Sequence, residues 1–114
     1  MLFLFPYCAA DETDDPVSAN TIIIGEGNSF ITSEVTASSG EVLAVINHDD
    51  TPHSITSESA VGAFDDTGDF DVLVPSEGTQ VLELPEAVSG TVYFFYCRLH
   101  DEIMTPADGT ITIE

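Results

Sequence analysis

The segment GTVYFFYCRLHDEIM, residues 90–104, indicates how this chain folds. A glycine precedes a run of valine and aromatic residues, a composition typical of a β-strand. If Cys97 faces the interior, the two-residue period of a strand places Phe95 and Tyr93 on the same face and Tyr96 on the opposite one. The segment therefore predicts a core strand that ends at a cysteine and continues into a short loop.

Short strands separated by turns extend from this segment toward both ends of the chain. Clusters of glycine, serine and proline interrupt β-branched and alternating runs, and no helical period is present. The predicted strands comprise residues 21–25, 30–37, 41–47, a strand that starts at 53, 71–75, 79–85, 90–97 and 109–114. Strands at this spacing predict an all-β fold of about eight strands, a β-sandwich or barrel.

The composition describes a single, very acidic domain. The 114 residues are enough for one hydrophobic core. The formal net charge at pH 7 is −20, because 21 acidic residues face one basic residue, Arg98. This balance argues against nucleic acid and anionic lipid as partners. Two explanations stay open: an adaptation to a saline medium, which the even spread of the acids favours, and a docking surface for a basic partner.

Residues 1–19 are predicted to be an N-terminal tail outside the folded domain, which we expect to span residues 20–114. The tail starts with an apolar run that is too short to cross a bilayer. It could be the remnant of a secretory signal, although it lacks the positively charged start of such signals. Alternatively, Cys8 could carry a lipid anchor, with the acidic segment that follows as a tether. A plain tail is the third interpretation.

The loop after the core strand carries Cys97, His100 and Met104, whose side chains bind soft or borderline transition metals. His53 starts an earlier strand and is a candidate ligand from the same end of the fold. Two imidazoles, a thiolate and a weakly held thioether form the ligand set of an electron-transfer copper site. A structural zinc site would need a fourth firm ligand. The sequence therefore predicts one copper ion.

His48 and Cys97 have side chains that can bind a metal, but each also has another interpretation. His48 is followed by Asp49 and Asp50, which we expect to be exposed, and it is interpreted as a surface residue. Cys97 could instead form a disulfide with Cys8, an arrangement that an extracytoplasmic protein permits but that leaves the histidines unexplained.

Residues 30–114 resemble the cupredoxins, the small blue copper proteins of the amicyanin, plastocyanin and halocyanin type. The matching segments are FITSEVTASSGEVLAVINHDDTPHSI at 30–55, GTVYFFYCRLHDEIM at 90–104 and DGTITIE at 108–114. They combine an asparagine six residues before a proline-preceded histidine with a Cys-x-x-His loop further along the chain. The resemblance implies a Greek-key β-sandwich or barrel that holds one Cu(I)/Cu(II) ion.

The resemblance also implies a role for each matching residue. The three equatorial copper ligands and the long axial ligand would be His53, Cys97, His100 and Met104. Asn47 would form a hydrogen bond to the cysteine-bearing segment and so lock the ligand loops together. Pro52 would set the approach of the histidine that follows it.

The loop departs from the family pattern at its axial position. Three residues separate His100 from Met104, whereas the amicyanin type has two, so Glu102 or water are alternative axial ligands. The resemblance further implies that His100 reaches the surface among apolar residues such as Leu99, where an electron can leave. Tyr96 would form a second electron-transfer contact.

The expected function is that of a type 1 copper protein that carries one electron at a time between redox proteins. We do not expect an enzyme, since no acid–base pair, phosphate loop or nucleophile triad is present. The alternative is a cupredoxin with an open copper position that oxidises or reduces a small molecule such as nitric oxide or nitrite. We expect an extracytoplasmic monomer, in a periplasm-like space or at the outer face of the cell membrane. Peripheral or lipid-anchored membrane association through its N-terminus stays open.

Overall fold

The computed structural model describes residues 21–114, and this part of the chain is built almost entirely from β-strands. The strands are β1 (Thr21–Gly25), β2 (Ser29–Phe30), β3 (Glu34–Ala37), β4 (Val42–Asn47), β5 (His53–Glu58), β6 (Asp71–Val74), β7 (Thr79–Glu83), β8 (Val92–Tyr96) and β9 (Asp108–Ile113). A single turn of 3₁₀-helix, Asp101–Ile103, lies between β8 and β9. In residues 21–114 there is no apolar helix of bilayer-spanning length.

The strands form two sheets, in the orders β2-β1-β4-β7 and β3-β9-β8-β5-β6. The predicted all-β sandwich is therefore confirmed. One predicted strand, residues 30–37, divides into β2 and β3 because the chain crosses from one sheet to the other. Phe30 pairs with Ile24 in the first sheet, whereas Val35 pairs with Ile111 in the second. Nine strands result where about eight were expected.

The core lies between the two sheets and is filled by the inward side chains of alternating residues. In β9, Ile111 and Ile113 are buried and the alternating residues Thr110 and Thr112 are partly exposed, as the two-residue period requires. In β8, Phe95 is fully buried, and Cys97 directly after the strand is fully buried as well. The cysteine thus stands at the end of a core strand, as the sequence predicts.

Strand β5 is buried on both faces, unlike the other strands. All six of its residues are buried, although three of them point away from the core. The segment between β5 and β6 covers this outer face: the Thr67 N–H donates to the Ser57 carbonyl, and the Ser57 N–H donates to the Phe70 carbonyl. At the end of β5, a Glu58 carboxylate oxygen accepts a hydrogen bond from the Phe64 N–H. The strand that begins with His53 is therefore shielded from solvent along its whole length.

Gly109 in β9 leaves space for the Phe95 ring, which packs edge-on against Phe30 with ring centroids 5.2 Å apart. A Cβ atom at residue 109 would lie 2.6 and 2.7 Å from the Cε atoms of that ring, inside van der Waals contact. We expect Gly109→Ala to lower the free energy of unfolding by about 1–3 kcal/mol through overpacking. Chemical denaturation measures this loss. Combining it with Phe95→Leu, which removes the tip of the ring, should cost less than the sum of the two single changes; strict additivity contradicts the proposed overlap.

Burial and the neighbouring Asp108 carboxyl raise the pKa of Glu58 to about 7. Because the folded state binds this proton more tightly than the unfolded state, the stability contributed at low pH is lost as pH rises from about 4.5 through 7. The loss amounts to about 3 kcal/mol at most. Glu58→Gln should therefore flatten the fall in melting temperature between pH 5 and pH 8. Glu83→Gln, at an exposed position, should leave this fall in melting temperature unchanged. Equal pH profiles for both variants would contradict the assignment of the pH dependence to Glu58.

Candidate metal centre

Two neighbouring strands bring the predicted ligands together. His53 is the first residue of β5, and Cys97 directly follows β8. These strands are antiparallel neighbours, and their register pairs Thr56 with Tyr96. The start of one strand therefore lies beside the end of the other. The Ser54 N–H donates a hydrogen bond of 3.3 Å to the Cys97 Sγ atom, which fixes the sulfur relative to β5.

Three donor atoms converge at this point. The Cys97 Sγ atom lies 3.6 Å from the Nδ1 atom of His53 and 3.5 Å from the Nδ1 atom of His100. The donor atoms of the three residues all lie within 4.8 Å of one another. A metal ion sits about 2.0 Å from imidazole nitrogen and about 2.3 Å from thiolate sulfur in zinc sites. Each nitrogen–sulfur distance is shorter than the sum of these two lengths, so one ion can contact all three residues.

A tight turn returns His100 to the cysteine. The His100 and Asp101 N–H groups both donate to the Cys97 carbonyl, at 3.2 and 2.7 Å. The 3₁₀ turn then leads into Met104, which is 3% exposed and belongs to the same buried cluster as the cysteine. Burial and the positive charge that His53 can carry lower the pKa of His100. The side chain of Glu102 is not among the described parts of the chain.

Asp49 is a site residue that the sequence analysis missed, and its predicted exposure is wrong. It is only 5% exposed, and its Oδ2 atom lies 2.7 Å from the Nε2 atom of His53. The hydrogen bond from His53, supported by the backbone N–H groups of Asp50 and Asn28, holds the pKa of Asp49 well below its usual range against the opposing effect of burial. A buried carboxylate therefore contacts the histidine on the ring nitrogen that faces away from Cys97.

Asn47 does organise the histidine loop, but its predicted hydrogen bond to the cysteine-bearing segment is wrong. Its Nδ2 atom donates to the carbonyls of Thr51, at 2.9 Å, and Pro75, at 3.1 Å. Its Oδ1 atom accepts from the Asp49 N–H at 2.9 Å. These bonds close the loop that ends in Pro52, the residue before His53. Asn47 thus ties this loop to the turn between β6 and β7.

Ser54 makes the connection that was expected of Asn47. Its Oγ atom accepts a hydrogen bond of 2.9 Å from the Arg98 N–H, in the loop directly after the cysteine. The hydroxyls of Ser54 and Thr56 lie 2.8 Å apart, Thr56 donates to Asp71, and Asp71 binds the Arg98 guanidinium at 2.9 Å. This closed ring of contacts fastens the ligand loop to β5 and β6 from the outer face of the sheet.

The surface around His100 agrees in part with the prediction. His100 is partly exposed, and Leu99 and Ile103 on either side of it are 42% and 63% exposed. Tyr96, by contrast, is 4% exposed, so its predicted role as a surface contact is wrong. It does lie on the outer face of the sheet, but Phe64 covers it, with ring centroids 5.5 Å apart.

His48 is exposed, as expected of a surface residue. Cys97 is a free thiol in the described part of the chain. Cys8 lies outside the described residues, and so do the predictions of a lipid anchor and of a disulfide to it.

The sequence matches no protein-family model and no curated protein, but the structure is similar to several solved structures. A purple cupredoxin from Nitrosopumilus maritimus superposes with a TM-score of 0.61 at 21% identity, over 83% of this chain and 99% of that one. Amicyanin from Paracoccus versutus gives 0.59 at 23% identity, over 88% and 85%. A mutant of amicyanin in its Cu(I) form gives 0.57 at 20% identity, over 84% and 82%. At these identities the likeness establishes the fold.

Proposed function

We propose that this chain, which has the cupredoxin fold, binds one copper ion and carries one electron at a time between redox proteins. The observation that carries the proposal is the convergence of the imidazoles of His53 and His100 with the Cys97 sulfur. Two imidazoles and one thiolate are the donor set of electron-transfer copper sites, and a solved neighbour is described as a Cu(I) form. The bound ion would supply a reversible Cu(I)/Cu(II) couple.

The site suits electron transfer because its donors are held by the protein before any ion binds. His53 and Cys97 are fully buried. The His53 Nε2 atom donates a hydrogen bond to Asp49, and the Cys97 sulfur accepts one from the Ser54 N–H, so both side chains are fixed in orientation. Ligands that are fixed in this way move little when the charge of the ion changes, which favours fast electron exchange. His100 is the ligand that reaches the surface, so we assign the exit of the electron to its exposed edge and to neighbouring Leu99.

We assign Met104 as the long axial ligand, within a copper-binding domain of residues 20–114. Its burial in the same cluster as Cys97 supports the assignment. The alternative is an axial position open to nitric oxide, nitrite or water.

The proposed partners are redox proteins with a basic docking face, and the proposed location is extracytoplasmic. The net charge of −20 supports a basic partner, because complementary charge steers association. The one basic side chain, Arg98, is paired with Asp71, so its positive charge is compensated locally and creates no positive patch at the metal loop. A monomer that docks reversibly through its apolar patch at Leu99 and Ile103 fits this role.

Addition of Cu(II) to the metal-free protein should produce an intense visible band from cysteine-to-copper charge transfer. Cys97→Ser should abolish the band because it removes the sulfur donor, and His53→Ala should abolish or strongly shift it. His48→Ala provides the matched control, since His48 is exposed and lies outside the cluster. A band that survives in the Cys97→Ser variant contradicts the site.

Met104→Leu should raise the reduction potential of the copper protein, because the thioether stabilises Cu(II) more than an alkyl group does. Each tenfold loss of preference for Cu(II) corresponds to about 59 mV. Cyclic voltammetry measures the shift, and Ile103→Leu serves as the control in the same loop. An unchanged potential would move the axial assignment to Glu102 or water. A spectrum that shifts on addition of azide would indicate the open site.

A further inference from the structure

The imidazole of His53 lies between the cysteine sulfur and a buried carboxylate. Its Nδ1 atom is 3.6 Å from the Cys97 Sγ atom, and its Nε2 atom is 2.7 Å from the Oδ2 atom of Asp49. An ionised carboxylate only accepts hydrogen bonds, so the Nε2 atom must carry the proton that is shared between them. Nδ1, which faces the sulfur, is then the nitrogen left without a proton in the neutral ring.

We propose that Asp49 is a positioning residue for the metal centre: it fixes the tautomer of His53 and makes the bound copper favour Cu(II) over Cu(I). The inference rests on the proposed function, since it concerns the ion that His53 would help to hold. A carboxylate that accepts the second N–H of a metal-binding imidazole makes that ligand more basic. A more basic ligand and a nearby negative charge both stabilise the more highly charged ion.

The carboxylate of Asp49 is held in place by groups that only a carboxylate can satisfy. Its Oδ1 atom accepts the Asp50 N–H at 2.9 Å, and its Oδ2 atom accepts the Asn28 N–H at 3.2 Å in addition to the bond from His53. Both oxygens thus face donors. An asparagine in this position would bring its own N–H₂ group against one of these donors, whichever way its amide is turned.

The charge of Asp49 acts in a different environment from the charges of its neighbours. Asp49 is 5% exposed, whereas Asp50 and Glu77 on the same side of the molecule are exposed to water. Interactions of a buried charge are screened much less than those of a surface charge. The one cationic side chain of the protein, Arg98, is paired with Asp71. Among the described residues, Asp49 is therefore a buried carboxylate that contacts the proposed metal centre through His53.

The test compares Asp49→Asn with Asp50→Asn. The second change removes the same charge from the next residue, whose side chain is exposed. In the copper-loaded protein, Asp49→Asn should lower the preference for Cu(II) over Cu(I) about tenfold, which corresponds to a rise in reduction potential of about 59 mV. Asp50→Asn should leave the potential nearly unchanged at high ionic strength. Equal shifts in the two variants would overturn the proposal, since they would show a general effect of net charge.

A second measurement needs neither copper nor a variant. ¹⁵N NMR of the metal-free wild-type protein should show His53 with its proton on Nε2, in slow exchange with water. A neutral ring with its proton on Nδ1 would overturn the proposal even if Asp49→Asn failed to fold. Because this readout does not depend on copper, it tests the role of Asp49 separately from the proposed copper-binding function. Absence of the charge-transfer band would reject the proposed function, while the NMR result tests the tautomer of His53 with no ion bound.

Discussion

The pairing of β5 with β8 is the constraint on which the rest of the site depends. It places the first residue of one strand, His53, beside the residue that follows the other, Cys97, although 43 residues lie between them in the chain. Ser54 reinforces the pairing twice, through its N–H to the sulfur and through its hydroxyl to the Arg98 N–H. His100 then needs only one turn of chain to complete the cluster. The pairing of strands in the sheet therefore places His53 beside Cys97, and the loop after β8 adds His100.

The features that follow from local periodicity were predictable from the sequence. The two-residue period of a strand places Phe95 and Cys97 on the core side of β8, and both are fully buried. The alternation in the last strand likewise predicts which of its residues face inward. The grouping of His53 with Cys97 and His100 was also anticipated, because soft and borderline donors are scarce in this chain and a resemblance to a known ligand pattern joined them.

The errors arise where tertiary contacts reverse a correct local expectation. Tyr96 does face away from the core, yet the segment between β5 and β6 covers it through Phe64. Asp49 follows a strand in a run of polar residues, which is typical of an exposed turn. It is buried because Asn47, four residues before Thr51, folds the loop back on itself and because the turn at Asn28 supplies a donor from another strand pair. The sequence pattern around Asp49 cannot predict the turn at Asn28, because that turn lies in a different part of the chain.

Arg98 is the single lysine or arginine of the sequence, so cleavage by trypsin can report on local opening of the loop that carries it. A chain without lysine and with one arginine offers trypsin a single cleavage point, the bond between Arg98 and Leu99, in the middle of the ligand loop. In the folded structure that bond is protected from cleavage, since the Arg98 N–H donates to Ser54 and its guanidinium donates to Asp71. Proteolysis can proceed only when this loop detaches from the sheet. The rate of tryptic cutting is thus a natural reporter of local unfolding at the site, insensitive to fraying elsewhere in the protein.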